Sequence, residues 1–389
     1  MIQSATRISE VNEYFFVKKL EQINRMSTEQ IEPVINLGIG NPDLPPPDSV
    51  INALVLSADQ KNSHGYQPYR GILSLRSAFS TYYKRRFNVI VDPETEVLPL
   101  MGSKEGIFHL SMAFLEEGDE VLVPNPAYPA YANCAKLAGA KVRYFALTSE
   151  NNYLPDLNAL EKTDLSSVKM MWLNYPNMPT GAIANPSFFR RLSRWAERHE
   201  ILICHDNPYA QILTKQPISA LQSDMSNPWM LELCSLSKQH NMAGFRIGAL
   251  IAHRHIVSEV LKLKSNMDSG MYLPIQMAGI QALLHHDEDW FSGINAQYQK
   301  RKVLAIQIME LLSCQVEASE AGLFVWAKVP EGHSGESLSE KILNEFRIFI
   351  TPGFIFGSAG HEYLRISLCG EEENFLEAID RIKKLNFSL

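Results

Sequence analysis

The sequence has 389 residues, of which 46% are hydrophobic and 20% charged, and its formal net charge is -7 at pH 7. This is the composition of a globular protein long enough for one large domain and a smaller one. The acidic balance argues against a broad basic surface for nucleic acid or an anionic membrane. Five scattered cysteines, an odd number without a CxxC pair, argue against a disulfide framework or zinc site and favour a reducing compartment.

The N-terminal segment, residues 1–30, has the pattern of an amphipathic helical arm with apolar positions such as Ile8, Phe15, Val17 and Leu20. Charged residues interrupt it too often for a signal peptide, and nowhere do about 18 uncharged apolar residues run together. We therefore expect a cytoplasmic protein without a membrane partner. The arm is either a packed surface helix or an element near a dimer interface or the mouth of a site.

Two loops rich in glycine and proline follow the arm. An apolar strand at residues 35–37 breaks into a loop that contains Gly38 and Pro42, and the proline prevents the immediate helix that a dinucleotide-binding motif needs. Residues 64–76 begin as a loop containing Tyr66 and continue as a helix. Both segments are therefore interpreted as loops that connect regular elements.

A strand, a glycine turn and a helix start are predicted around residues 97–110, with Gly102, Ser103 and Lys104 at the turn. Free N–H groups and the positive end of the helix dipole make such a helix start an anion site. The absence of a GxxxxGK[ST] pattern excludes a nucleotide P-loop. A plain helix cap is the alternative interpretation.

Two later strands lead into side chains with possible ligand roles. The strand at residues 120–124 breaks at prolines before Tyr128, whose ring is then held so that it can lie flat on a heterocycle. The strand at residues 201–205 leads to Asp206, at the strand end where ligand sites of α/β folds gather. Alternating apolar strands and helices from about 97 to 252 predict a mostly parallel sheet with helices on both faces.

The segment 235–248 places Lys238 after Ser235 and Ser237 and before Arg246. A lysine amine forms an imine with an aldehyde when it is held in place and can lose its proton. Hydroxyls and a guanidinium suit the oxygens of a phosphate. Aldehyde and phosphate together indicate pyridoxal 5′-phosphate, whereas a solvated lysine is the alternative for Lys238 taken alone.

A long helical tract at about 275–313 leads to a C-terminal part of mixed strands and helices. The adjacent His285 and His286 lack the i, i+4 spacing of a helical metal pair, so we expect surface residues and no metal site. Arg365 lies among apolar neighbours on a predicted strand, where its charge needs a partner. That partner is either a substrate carboxylate or a structural salt bridge.

Taken in order, these motifs resemble those of the class I/II aminotransferases, pyridoxal-phosphate enzymes of fold type I, over about residues 35–370. The segment 235–248 is most similar to the subgroup of alanine, aspartate and LL-diaminopimelate aminotransferases. The resemblance implies an α/β fold with an N-terminal arm (1–34), a large cofactor-binding domain (35–274) and a smaller α+β domain (275–389). It also implies a homodimer.

The resemblance assigns roles to individual residues. Lys238 is expected to bind the cofactor covalently and to move protons, Asp206 to pair with the pyridine nitrogen, and Tyr209 to bond the phenolic oxygen. Arg365 and Gly38 are expected to contact the substrate. The other implied cofactor contacts are Gly102, Ser103, Lys104, Tyr128, Asn177, Ser235, Ser237, Arg246 and Tyr66 of the partner subunit.

The sequence departs from the family pattern at one position, because Met178 replaces the asparagine before Pro-Thr-Gly that donates to the phenolic oxygen. That interaction is expected to be absent or to be made by Asn177. The implied activity is transfer of an amino group between an amino acid and a 2-oxo acid, with aspartate and 2-oxoglutarate as the first hypothesis.

Two alternatives remain from the sequence. The same fold hosts β-lyases that act on sulfur amino acids, so the fold does not decide the reaction. A pyridoxal-phosphate-sensing regulator is disfavoured, because only about 35 residues precede the Gly38 loop, too few for a DNA-binding domain.

Overall fold

The structure is a computed structural model that describes residues 2–11, 13, 15–29, 32–284, 288–318 and 321–385. The predicted surface histidines His285 and His286 lie outside the described residues. No described helix is both long enough and apolar enough to cross a membrane. All five cysteines are buried and carry free thiols in this structure.

The strands follow one another along most of the chain. They are β1 Ile35–Asn36, β2 Val97–Leu100, β3 Glu120–Asn125, β4 Lys141–Ala146, β5 Val168–Asn174, β6 Leu202–Asn207, β7 Met230–Ser235, β8 Gly248–Ala252, β9 Gln315–Val316, β10 Phe324–Lys328, β11 Ile348–Phe349, β12 Thr351–Pro352 and β13 Tyr363–Ser367.

Helices alternate with these strands. They are α1 Phe15–Glu29, α2 Asp48–Ala58, α3 Leu73–Phe87, α4 Ser103–Phe114, α5 Ala130–Leu137, α6 Leu157–Leu160, α7 Pro186–His199, α8 Leu236–Gln239, α9 Arg254–Lys264, α10 Leu273–Leu284, α11 Glu288–Leu311, α12 Gly335–Phe346 and α13 Glu372–Lys384.

A seven-stranded sheet in the order β2-β8-β7-β6-β5-β3-β4 forms the centre of the fold. Strand β8 runs antiparallel to β2 and β7, and the other neighbours are parallel. Successive side chains of β5 enter two different cores: Met171 and Leu173 pack on one face, Met170 and Trp172 on the other. Near-continuous apolar strands are typical of a sheet that helices cover on both faces, which confirms the predicted mostly parallel α/β fold.

A smaller antiparallel sheet in the order β12-β13-β10-β9 lies in the C-terminal part. Residues 348–352 form two short strands with different partners, because β11 pairs with β1 and β12 pairs with β13. Residues 35–36 therefore join the C-terminal part through β11 instead of the seven-stranded sheet. The domain limits 1–34, 35–274 and 275–389 stay a prediction.

Helix α1 is attached to the C-terminal part by polar and apolar contacts. Lys19, 8% exposed, forms an ion pair with Glu340 of α12. The guanidinium of Arg347 donates from Nη2 to the carbonyl oxygen of Met26 at 2.6 Å. Ile23 packs in a small apolar cluster with residues of α12 and β11. The predicted amphipathic arm is thus a helix fixed on the protein surface.

Candidate active site

A cavity of about 450 Å³ lies at the carboxyl ends of β5, β6 and β7, between the large sheet and the C-terminal part. Parallel strands end at one edge of the sheet, so their following residues meet there. Ten residues predicted for the site line this one cavity. They are Ser103, Lys104, Tyr128, Asp206, Tyr209, Ser235, Ser237, Lys238, Arg246 and Arg365.

One end of the cavity has the geometry of a phosphate site. Helix α4 begins after Gly102, which has a φ of +85° and provides no side-chain cap to the first N–H groups. A Cβ at Gly102 would collide with the guanidinium of Arg246. Arg246 Nη1 donates to Ser237 Oγ at 3.2 Å, and Nη2 donates to the carbonyl oxygen of Met101 at 3.2 Å. Helix N–H groups, a hydroxyl and a guanidinium thus converge on one place.

Lys238 projects into the same cavity from the short helix α8. Its Nζ donates to the carbonyl oxygen of Gly40 at 2.5 Å. Burial lowers the pKa of Lys238, and the positive charges of Arg365 and Arg246 lower it further against the opposing effect of Cys369. A lowered pKa increases the fraction of neutral amine, which is the nucleophilic and basic form.

Asp206 is the second-to-last residue of strand β6, and one of its carboxylate oxygens has a hydrogen-bond partner whereas the other has none among the described residues. Its Oδ2 accepts a hydrogen bond from the Tyr131 hydroxyl at 2.9 Å. Its Oδ1 is buried and has no hydrogen-bond partner among the described residues. Burial raises the pKa of Asp206 to about 6, although the bond from Tyr131 opposes that shift. A buried carboxylate oxygen without a partner is costly, so the site is complete only when a donor reaches it.

Tyr131 is a site residue that the sequence analysis missed. Besides its bond to Asp206, its ring stacks on Trp172 with centroids 4.9 Å apart and planes 5° apart, and it meets the edge of Tyr128 at 5.7 Å. Both tyrosines are thereby held in fixed orientations. Tyr131 follows Tyr128 by three residues at the start of α5, and that spacing was the signal that could have indicated a shared face.

A buried polar network holds the strands next to Asp206. Nδ1 of His205 lies 2.9 Å from Oε2 of Glu232, and neither side chain is exposed. Glu232 also accepts hydrogen bonds from the hydroxyls of Tyr83 at 2.7 Å and Ser219 at 2.9 Å. Because this carboxylate is well supplied with donors, the network ties β6 and β7 to α3 and stabilises the strand end that carries Asp206.

Arg365 lies on β13 and is 4% exposed. Its Nη2 donates to the carbonyl oxygen of Gly38 at 2.6 Å, and its Nη1 lies 3.4 Å from the sulfur of Met178. The guanidinium carbon is 4.1 Å from the ring centroid of Phe324 and 4.6 Å from that of Phe356. Aromatic faces stabilise the cation while its edge stays in contact with the cavity.

Four predicted residues do not line the cavity, and one of them is Gly102, which lies at the start of α4 next to it. Gly38 supports Arg365 through its carbonyl oxygen, and a Cβ there would collide with the ring of Phe349. Asn177 uses its amide within its own turn, donating to the carbonyl oxygen of Asn174 at 3.1 Å, so it does not replace the missing asparagine. Tyr66 is 93% exposed in a separate surface depression. Its contact with the cofactor of a partner subunit stays a prediction.

The sequence analysis also missed an apolar wall of the cavity. Helix α1 contributes Phe16, Val17 and Leu20, and the loop after β1 contributes Ile39. These residues belong to segments far from Lys238 in the chain. Helix α1 is therefore packed on the protein surface and also lies at the cavity, and a place at a dimer interface stays a prediction.

Comparison with known proteins assigns the chain to a family. The sequence profile of the family described as Aminotransferase class I and II matches residues 32–382. The chain is 39% identical over 378 residues to the LL-diaminopimelate aminotransferase of Dehalococcoides mccartyi, covering 97% of each chain. It is 38% identical over 387 residues to the enzyme of that name from Aquifex aeolicus, covering 99% of this chain and 100% of the relative.

The apo structure of BacF from Bacillus subtilis has the same fold, with a TM-score of 0.94 at 33% identity, covering 100% of this chain and 99% of that one. The chain therefore belongs to the class I and II aminotransferases. It is a transaminase whose cofactor is pyridoxal 5′-phosphate, as the sequence analysis expected.

The residues present fit this cofactor. The start of α4 with Ser237 and Arg246 suits its phosphate, and the amine of Lys238 suits its aldehyde. The unpartnered Oδ1 of Asp206 suits a protonated ring nitrogen. The ring of Tyr128 is held at the cavity wall, where the family resemblance expects a stacking aromatic.

The affinity for pyridoxal 5′-phosphate is expected to increase as pH rises through about 6. Burial raises the pKa of Asp206 from 3.8 to about 6, so its carboxyl is neutral below this range and charged above it. Without cofactor, keeping this carboxyl ionised costs folding free energy above about pH 6, and the cost is absent below 3.8. The protonated ring nitrogen of the bound cofactor offsets that cost only above about pH 6, where the carboxyl of Asp206 is ionised.

Equilibrium dialysis from about pH 5 to about pH 8 measures this dependence. The control is Asp206→Asn, which retains the titration of the cofactor's own phosphate but lacks the carboxyl. Parallel pH profiles for the native and variant proteins would contradict the prediction.

Proposed function

We propose that this chain transfers the amino group of an α-amino acid to a 2-oxo acid, using the cavity around Lys238 for both half-reactions. One observation carries the proposal: the amine of Lys238, the unpartnered oxygen of Asp206 and the guanidinium of Arg365 all belong to one cavity. A nucleophilic amine, an anion for a ring nitrogen and a cation for a carboxylate are the groups that transamination needs.

The bound cofactor supplies an aldehyde that takes up amino groups and a ring that accepts the electron pair left when the α-carbon loses its proton. Arg365 binds the α-carboxylate of the amino acid through its planar fork and thereby orients the α-carbon. The amine of Lys238, whose pKa is lowered by burial, takes the α-proton in its neutral form. Asp206 keeps a proton on the ring nitrogen, with Tyr131 orienting its carboxylate. Tyr209 is proposed to donate to the phenolic oxygen.

The relatives support one candidate for the amino donor. Proteins called LL-diaminopimelate aminotransferase are 36–39% identical to this chain over nearly its whole length. LL-diaminopimelate is therefore the reference donor against which other amino acids are compared. Aspartate, the first hypothesis from the sequence, has no support from these relatives.

The test is the visible spectrum of the protein loaded with pyridoxal 5′-phosphate, recorded with single amino acids in the absence of a 2-oxo acid. We expect the yellow absorbance to bleach in proportion to the donor added and to return when a 2-oxo acid is supplied. A β-lyase would instead release pyruvate and ammonia while the yellow absorbance persisted, and that outcome would contradict the proposal.

Replacing Arg365 by lysine is expected to lower kcat/KM for amino acids by about 30-fold or more, mainly through KM. Lysine retains the charge but lacks the planar fork that holds a carboxylate at two points. Half-reaction rates measured against donor concentration give the change. Arg254→Lys, an exposed substitution of the same kind at the start of α9, is the control. An unchanged apparent Kd in the Arg365 variant would show that the α-carboxylate binds elsewhere.

A further inference from the structure

A buried carboxylate lies next to the phosphate end of the cavity. Glu105 is the third residue of α4, and its Oε2 accepts a hydrogen bond from the backbone N–H of Met101, two residues before the helix begins. The described residues that line the cavity do not include Glu105. We propose that Glu105 is a positioning residue for the cofactor phosphate, acting through the turn that leads into α4. The inference goes beyond the proposed function, because it concerns how the cofactor is bound and not which reaction follows.

The backbone of Met101 is held by two side chains. Its N–H donates to Glu105, and its carbonyl oxygen accepts from Nη2 of Arg246 at 3.2 Å. The same guanidinium donates from Nη1 to Ser237 Oγ at the phosphate end. A Cβ at Gly102 would collide with Arg246, so the turn and the guanidinium are packed against each other. The position of Arg246, and of the first N–H groups of α4, therefore depends on how Met101 is held.

The negative charge of Glu105 is compensated on the side away from the cavity. A carboxylate in the first turn of an anion-binding helix would otherwise repel the phosphate. The Nζ of Lys264, the last residue of α9, lies 3.6 Å from Oε1 of Glu105 and also forms an ion pair with Asp268. Nε2 of His109, one turn later on α4, lies 3.0 Å from the same Oε1. Glu105 can thus hold the turn at a small electrostatic cost to anion binding.

The four side chains of this network are shielded from water by their own chain. The side chains of Lys264 and His109 are each 1% exposed, that of Glu105 is 9% exposed and that of Asp268 is 12% exposed. Buried charges are stable only in geometries that pair them, so the carboxylate of Glu105 has little freedom to leave Met101. These contacts form within one chain, and a partner subunit is not needed to make them.

The far end of the network reaches the loop that is expected to contact the partner's cofactor. Oδ1 of Asp268 accepts from the N–H of Gly270 at 2.8 Å, and a Cβ at Gly270 would collide with the carbonyl oxygen of Gln67. Gln67 is the neighbour of Tyr66. A change in the network therefore has two routes to a phosphate, one through Met101 and one through the Tyr66 loop, and the experiment has to separate them.

The test compares the binding of pyridoxal 5′-phosphate and of pyridoxal, which lacks the phosphate, to the cofactor-free protein by equilibrium dialysis. Glu105→Ala removes the acceptor for the Met101 N–H and is expected to weaken binding of the phosphate form by about tenfold or more, with pyridoxal unchanged within about twofold. Glu105→Gln keeps an acceptor oxygen and is expected to stay within about threefold of native. Equal weakening of both ligands, no weakening, or a glutamine variant as weak as the alanine variant would overturn the proposal.

The route is tested by combining Glu105→Ala with Tyr66→Phe. If Glu105 acts through Met101, its effect on binding of pyridoxal 5′-phosphate is the same in both backgrounds, because independent sites have additive effects. Loss of the Glu105 effect in the Tyr66→Phe background would overturn the proposal, since the network would then act through the Tyr66 loop. Glu117→Ala, at an exposed glutamate beyond the end of α4, is the control and is expected to change neither affinity.

Lys264→Met is the second variant in case Glu105→Ala does not fold. It keeps the length of the buried side chain but removes the charge that compensates Glu105, so the carboxylate is expected to repel the phosphate and to weaken binding of the phosphate form alone. Native affinity for pyridoxal 5′-phosphate in this variant would contradict the proposal. Because no amino acid is present, a negative result here leaves the transamination proposal intact, and a failure of transamination leaves this result intact.

Discussion

Replacing Lys238 by alanine is expected to abolish measurable transamination, with kcat lowered by about 10⁴-fold. The variant loses the amine that attaches to the cofactor aldehyde and also the base that takes the α-proton. Among the described residues that line the cavity, the other lysine is Lys104, which lies at the start of α4, where the phosphate is expected to bind. Turnover is measured with saturating donor and 2-oxo acid, and covalent cofactor is detected by mass spectrometry after borohydride reduction.

The control for this experiment is Lys262→Ala, which removes an exposed lysine that pairs with Glu259 on the surface of α9. Both variants should retain the fold, because neither side chain carries a large apolar contact. Lys238→Ala should still bind pyridoxal 5′-phosphate through its phosphate and ring contacts, but reversibly. Transamination by Lys238→Ala at the native rate would remove Lys238 from the mechanism.

Replacing Asp206 by asparagine is expected to lower kcat by about 10²- to 10³-fold, the range for removing one preorganised electrostatic group. Asparagine has nearly the same shape and can still accept the bond from Tyr131, but it carries no charge to keep a proton on the ring nitrogen. The electron pair released at the α-carbon is then poorly accommodated. Single-turnover bleaching with one donor measures the chemical step directly.

The comparison variant is Tyr131→Phe, which removes the hydroxyl that orients Asp206 but preserves its charge and the ring packing on Trp172. We expect a decrease of about tenfold, at the lower end of the range for the loss of one hydrogen bond to a charged group. If Asp206→Asn retained kcat within about threefold, the unpartnered Oδ1 would have no role in the reaction. A larger decrease in kcat for Tyr131→Phe than for Asp206→Asn would likewise show that Oδ1 of Asp206 has no role in the reaction.

Three polar residues of the cavity were predictable because each lies at or just after the end of a strand of the large sheet. Asp206 lies near the end of β6, Lys238 follows β7, and Ser103 follows β2. Strands that are apolar throughout must be buried, and parallel neighbours then present their carboxyl ends at one edge. The order of such residues was sufficient to predict both the fold and the cofactor.

The orientation of side chains in the turns was not predictable in the same way. The interaction missing at Met178 was expected to be absent or to be made by Asn177. The Oδ1 of Asn177 accepts a hydrogen bond from the hydroxyl of Thr180 at 2.8 Å, and its amide donates to the carbonyl oxygen of Asn174 within the same turn. An asparagine side chain can form hydrogen bonds within its own turn or contact a ligand, and the sequence alone does not determine which of the two it does. Gly38 likewise does not line the cavity, and its carbonyl oxygen accepts a hydrogen bond from Arg365.

The sequence by itself determined the sheet, through strand periodicity, and the cofactor, through the resemblance of its ordered motifs to one family, whereas the roles of the individual residues stay predictions. Only the tertiary structure decided which apolar residues line the cavity. Phe16 on helix α1 and Arg365 on β13 lie at opposite ends of the chain and meet because α1 packs on the C-terminal part. Such a contact depends on how elements pack across the fold, and the periodicity of α1 alone leaves the partner of its apolar face open.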